Sequence, residues 1–155
     1  MKAEDRRELL KKIQEGAPYA TGHQLVYRGS TQRFNVYEIP LDYLVYNPYN
    51  GRVGSVVKSY EKQSHTLDPE KSEDAKIIED FLWQSKESAN KATLDNLRAN
   101  GQINFGIVTS DGMIIDGNRR ASLMNRIRRD KKSSQEEKDR CSFFKAVILP
   151  DSATK

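Results

Sequence analysis

The chain has 155 residues, which suits one domain with a core of moderate size and excludes two full ones. Apolar residues make up 36%, charged residues 31% and mean hydropathy is −0.80, while 26 Lys and Arg against 22 Asp and Glu leave +4, a lean towards anionic partners. No apolar run approaches the roughly 20 residues of a membrane span and none follows the basic N-terminus as in a signal peptide, so the chain reads as cytoplasmic, without a membrane partner.

Taken in chain order, Leu9, Leu10 and Ile13 share one face of a charged segment over residues 3–15. This predicts a short peripheral helix stopped by Gly16 and Pro18, with residues 1–20 as helix and linker. Leu25-Val26-Tyr27 and Phe34 to Ile39, separated by Gly29-Ser30-Thr31, predict a hairpin. The Pro- and Gly-punctuated stretch through Asn47-Pro48 and Asn50-Gly51-Arg52 predicts a shaped loop. Asp68 and Pro69 read as the cap and first turn of an acidic helix to about Ser85, with Ile77, Ile78, Phe81 and Leu82 inward.

Residues 89–100 predict another helix, with Leu94 and Leu97 inward and Gly101 as its cap. Ile103 to Thr109 reads as a strand, Ser110-Asp111-Gly112 as a tight turn and Met113 to Ile115 as the returning strand. Asp116-Gly117-Asn118 then enters a helix beginning near Arg119. Leu123, Met124 and Ile127 form that helix's core stripe, and residues 119–132 carry seven basic side chains against one Asp. Lys131 to Arg140 reads as a polar connector and Phe143 to Leu149 as a buried closing strand. The sequence stops soon after, as a piece of a longer protein would.

Chemistry is concentrated at the strand–glycine–helix junction. A glycine there lets the backbone approach a ligand, and the unpaired N–H groups of the first helical turn point at an anion, phosphate being the obvious one. Arg119 and Arg120 add planar, multi-donor groups suited to phosphate oxygens, and Asn118 stands at the mouth of the turn. Asp116 has two readings, a plain helix cap or a carboxylate that reaches a divalent cation through water. The downstream Arg126, Arg128 and Arg129 read as a solvated basic face or as contacts to DNA phosphates.

Other residues carry weaker signals. Tyr43, Tyr46 and Tyr49 read as rings packed at a loop base with wet hydroxyls, or as stacking partners for a base. Trp83 reads as core or interface, and His65 as a surface residue with no evident partner. Cys141, the single cysteine, reads as a free structural thiol; with His23 and His65 as the only histidines, a Cys/His zinc site is disfavoured.

Residues 94–123, LDNLRANGQINFGIVTSDGMIIDGNRRASL, resemble the core of the ParB/sulfiredoxin superfamily, which runs helix, glycine, strand, Asp-Gly turn, strand, I-x-G-x-R-R and helix. Residues 39–52, IPLDYLVYNPYNGR, resemble its I-P-x-x-x-I-x-x-N-P-x-x-x-R segment. The resemblance implies an α+β fold with a small mixed sheet and flanking helices, a single domain over 1–155, and an insertion over about 54–90 that holds the acidic helix. It also implies a nucleoside triphosphate with Mg2+ as cofactor, held by Gly117, Asn118, Arg119 and Arg120 with Arg52 from a second side. In that setting Asp116 and Arg119 are the catalytic candidates and Asp116 the metal candidate.

Departures from the family pattern matter equally. Sulfiredoxins place a cysteine nucleophile where Asn118 stands, and a His where Arg119 stands, which disfavours sulfinic acid reduction here. Partitioning ParB proteins carry Gly-Glu-Arg-Arg at this loop. The leading expectation is a triphosphate-binding domain acting in partition, regulation or defence of bacterial or mobile DNA, its partners a nucleotide and DNA, with a second copy or a further C-terminal domain completing it. The alternatives are a non-catalytic DNA-binding module and a metal-dependent nuclease using Asp116 with Asp111. Hydrolysis, cleavage and binding alone all stay open at this point.

Overall fold

A computed structural model describes residues 1–50 and 53–150. In chain order the elements are α1 (Ala3–Glu15), β1 (Ala20–Tyr27), β2 (Ser30–Pro40), a 3-10 turn (Leu41–Tyr43), α2 (Val53–Gln63), α3 (Ser72–Ser85) and α4 (Glu87–Asn100). They continue as β3 (Gly106–Val108), β4 (Ile114–Asp116), α5 (Asn118–Arg129), α6 (Gln135–Arg140) and β5 (Phe143–Ile148). The fold is mixed α+β, a five-stranded sheet in the order β1-β2-β5-β3-β4 with flanking helices. β5 pairs antiparallel with β2 and parallel with β3, and the other pairs are antiparallel.

Alternation along β5 assigns the two faces of the sheet. Phe144, Ala146 and Ile148 join the main core, which takes Leu10 from α1, Ile78 and Leu82 from α3, Leu97 from α4 and Leu123, Met124 and Ile127 from α5. Val147 points the other way, into a smaller cluster with Val36 and Leu149 that draws only on strands and their flanks. Among the described residues no helix is long and apolar enough to cross a membrane.

Several elements differ from the sequence reading. α1 is not peripheral: Leu10 is fully buried, and Arg6 is buried too, with Nε donating to the Asp111 carbonyl at 2.7 Å and Nη1 to Glu70 at 2.7 Å. α2 falls inside the segment read only as an insertion. α3 begins at Ser72, later than Asp68, because the Asp68 carboxylate accepts the Glu70 N–H within a tight turn and does not cap the helix. The polar connector folds into α6, which starts with a capping box in which Ser134 and Glu137 satisfy each other's backbone N–H groups.

β3 is shorter than the predicted Ile103 to Thr109. The Lys145 backbone groups on that side are already paired: the Lys145 N–H donates to Gln102 Oε1 at 2.6 Å, and Gln102 Nε2 donates to the Lys145 carbonyl at 2.8 Å. A side-chain amide thus stands in for a strand residue. Gln102 is buried, so Gln102→Ala should leave both Lys145 groups unpaired and cost about 2 kcal/mol. Urea melts of the two proteins measure that loss, and an unchanged midpoint would show that water replaces the amide.

Candidate functional site

The β4–α5 junction is built around Gly117, which adopts φ +111° and ψ +14°, a left-handed conformation that admits no Cβ cheaply. A Cβ there would lie 2.7 Å from Phe144 Cζ, so the core ring fixes how closely the turn packs on the sheet. α5 starts at once with Asn118. Gly117 is its N-cap, with no side-chain hydrogen bond from the cap, so the backbone N–H groups of Asn118, Arg119 and Arg120 have no acceptor within the helix. The plain-cap reading of Asp116 does not hold: it is the last residue of β4 and exposed.

Asn118 spends its side chain on structure. Its Oδ1 accepts the Asn47 N–H at 3.1 Å and its Nδ2 donates to the Asn47 carbonyl at 2.6 Å, a second side-chain amide pairing like a strand residue. Val45 bridges to Met113, and Asn50 Nδ2 donates to the Ile115 carbonyl. The predicted loop is therefore laced along β4 as far as Asn50. Arg52 lies outside the described residues.

A cleft of about 740 Å³ opens at the α5 N-terminus, within the size range of small-molecule sites. Asp116, Gly117, Asn118, Arg119 and Arg120 line one end, and the α3–α4 junction supplies Leu82, Ser85 and Lys86. Leu97, Ile103, Asn96 and Asn104 are among the other lining residues, with Ile103 63% exposed. Among the described lining residues, the cations Lys86, Arg119 and Arg120 face a single carboxylate, Asp116.

The two arginines are held differently. Arg119 Nη1 donates to Asn90 Oδ1 at 3.0 Å. Arg120 Nη1 is buried without a hydrogen-bond partner among the described residues. Burial pushes the Arg120 guanidinium below its ordinary value; Asp116 pulls it upward and Arg119 adds to the depression. An unsatisfied guanidinium nitrogen costs free energy that an incoming anion would relieve.

Asp111 is not brought to Asp116. It lies in the turn of the β3–β4 hairpin, where Thr109 Oγ1 donates to its carboxylate, whereas Asp116 pairs with Ile107 at the open end. No group of three or more His, Cys, Asp or Glu that could hold a metal gathers among the described residues.

The three downstream arginines each have an internal partner. Arg126 stacks 4.1 Å from the Trp83 ring centroid, Arg128 Nη2 pairs with Asp42 at 2.7 Å, and Arg129 Nη1 pairs with Glu79 at 2.6 Å. Tyr46 is the unforeseen member of this group. Its hydroxyl is buried, not wet, donating to Glu79 Oε2 at 2.5 Å and accepting from Asn125 Nδ2 at 2.7 Å. Tyr49 is half exposed and donates to Glu61 at 3.0 Å. His65 does have a partner, Asp74, at 2.9 Å, and the pair is not among the residues lining the cleft. Cys141 is a buried free thiol.

The chain matches no protein-family model, no curated protein and no solved structure, so the ParB/sulfiredoxin resemblance rests on residues 39–52 and 94–123 alone.

Proposed function

We propose that the cleft binds a nucleoside triphosphate. Its phosphates lie on the first-turn N–H groups of α5 between Arg119, Arg120 and Lys86, and its nucleoside lies towards Leu97 and Ile103. The observation that carries this reading is that Arg120, whose Nη1 is buried without a hydrogen-bond partner among the described residues, lines a cleft whose described residues bring three cations and one carboxylate. A left-handed glycine followed by open helix N–H groups is a geometry that accepts phosphate, and the resemblance to ParB-type domains supports the triphosphate.

Mg2+ arriving on a triphosphate keeps most of its waters and needs one or two protein carboxylates, which the single Asp116 fits. The bound ion would neutralise charge between phosphate oxygens. Asp116, the one carboxylate lining the cleft among the described residues, would hold its water shell or orient an attacking water, with Arg119 stabilising the terminal phosphate. Asn118 contributes its backbone N–H and the anchoring of the 45–50 loop, since its side chain is committed to Asn47.

A role beside DNA follows from the resemblance. Nothing in the side-chain contacts favours DNA binding as the primary activity, because Arg126, Arg128 and Arg129 would first have to exchange Trp83, Asp42 and Glu79. A nuclease would want more carboxylates than Asp116 at the reaction centre. Calorimetry against inorganic triphosphate and the four ribonucleoside triphosphates, with and without Mg2+, tests the reading. Triphosphates should bind, and Arg119→Ala should remove most of the affinity while the fold survives. Wild-type affinity in Arg119→Ala would refute the assignment, and salt-sensitive DNA binding without nucleotide would favour the DNA module instead.

A further inference from the structure

The helical joint that faces α5 is organised by one side chain, Asn90 in the first turns of α4, which is fully buried. Its Nδ2 donates to the Trp83 carbonyl at 2.7 Å and to the Leu82 carbonyl at 3.1 Å, two last-turn carbonyls of α3, the second of which also accepts from Ser85 Oγ at 2.7 Å. Its Oδ1 accepts from Arg119 Nη1 at 3.0 Å. The orientation of the amide is fixed by chemistry, because carbonyls only accept and a guanidinium only donates.

We propose that Asn90 is a positioning residue for the phosphate end of the cleft, holding the Arg119 guanidinium by a neutral acceptor so that its charge stays available to a ligand. The inference rests on the triphosphate reading of that cleft. No other side chain of this size meets the three demands. Aspartate would turn an oxygen towards two carbonyls and neutralise Arg119, and leucine would take the amide's bonds from the Trp83 carbonyl and the guanidinium, leaving the Leu82 carbonyl only Ser85 Oγ. The amide ties the end of α3, the start of α4 and the first turn of α5 into one unit, and the same joint supplies Lys86 to the cleft wall.

Inorganic triphosphate is the probe, since it carries the charge shared by all four nucleotides. Asn90→Ala should bind it about tenfold more weakly than wild type, the loss expected when a charged group loses its hydrogen-bond partner. In an Arg119→Ala background the same change should cost nothing further, whereas a general loosening of the fold would cost as much in both. Asn90→Asp should bind weakly at neutral pH and recover relative to wild type as the pH falls and the carboxyl becomes a neutral donor again. A third readout needs no variant: the Asn90 side-chain N–H resonances of the 15N-labelled wild type should shift on titration with triphosphate.

Equal losses in both backgrounds, wild-type affinity in a folded Asn90→Ala, or unmoved Asn90 resonances at saturating triphosphate would each overturn the inference and leave the triphosphate reading standing. Failure of the wild type to bind any triphosphate would remove both.

Discussion

Gly117→Ala should melt about 12 °C below wild type and lose triphosphate affinity beyond what the melt explains. A non-glycine residue at φ +111° carries about 1–3 kcal/mol of backbone strain, and forcing a methyl into packed core costs a similar amount. Together they come to about 4 kcal/mol, each kcal/mol lowering the melting temperature of a domain this size by about 3 °C. The clash has no easy relief. The Cβ would meet Phe144 Cζ at 2.7 Å, and Phe144 is itself hemmed in by Gly106, where an added Cβ would lie 2.4 Å from the same ring. The turn would have to move instead, carrying the first-turn N–H groups of α5 away from the cleft. Gly29→Ala is the control: its φ is +79° with nothing within 4 Å of the added Cβ, so only the strain remains, about 1 kcal/mol. Equal melting temperatures for the two variants would mean that Phe144 yields and the contact does not fix the turn.

The same junction was the most legible part of the sequence. Strand, Asp-Gly turn, strand, glycine and basic helix follow one another closely enough that local rules suffice, and α5 keeps Leu123, Met124 and Ile127 buried as its spacing requires. Legibility ended where side chains act across the fold. Gln102 looks like an ordinary polar residue and Asn118 like a phosphate contact, yet the side chain of each pairs with a distant backbone as a strand residue would. Asn90 looks like any amide on an exposed helix, and its role exists only because the end of α3 and Arg119 converge on it. α2 was hidden for a different reason: its buried Val53 and Val57 are weak helix formers, and Gly54 lowers the propensity further. Gly54 is there because a Cβ would lie 2.7 Å from the Tyr49 carbonyl oxygen, a contact no local pattern reveals.

The basic stretch of α5 teaches the converse, that a conspicuous pattern has more than one use. In sequence, Arg126, Arg128 and Arg129 form a cationic run; in the fold each meets an aromatic ring or a carboxylate from α3 or the 3-10 turn. Arg128 also donates to Asn125 Oδ1 at 2.8 Å, so Asp42, Arg128, Asn125, Tyr46, Glu79 and Arg129 form one continuous chain of hydrogen bonds. That chain clamps the segment after β2, α3 and α5 together behind the cleft. The α5 arginines that line the cleft are those at the other end of the helix, Arg119 and Arg120.

Tyr46 gives this network a pH signature. Burial, and after it the Glu79 carboxylate, raises the Tyr46 hydroxyl well above the ordinary value of 10.0. Above pH 10 the unfolded chain therefore ionises Tyr46 while the folded chain keeps it protonated. The contribution to stability is complete below pH 10 and shrinks by about 1.4 kcal/mol for each pH unit above it, until the folded hydroxyl also titrates. Tyr46→Phe removes the group that titrates. At pH 8 it should be about 2 kcal/mol less stable than wild type, because the buried Glu79 and Asn125 each lose a partner. By pH 11 the gap should have narrowed by about 1.4 kcal/mol, since only the wild type pays for holding the proton. Urea melts of both proteins at the two pH values measure it. Every other ionisable group is common to both proteins and cancels in the difference. A gap that stays constant from pH 8 to pH 11 would mean that water reaches the Tyr46 hydroxyl and that the network does not seal α3 against α5.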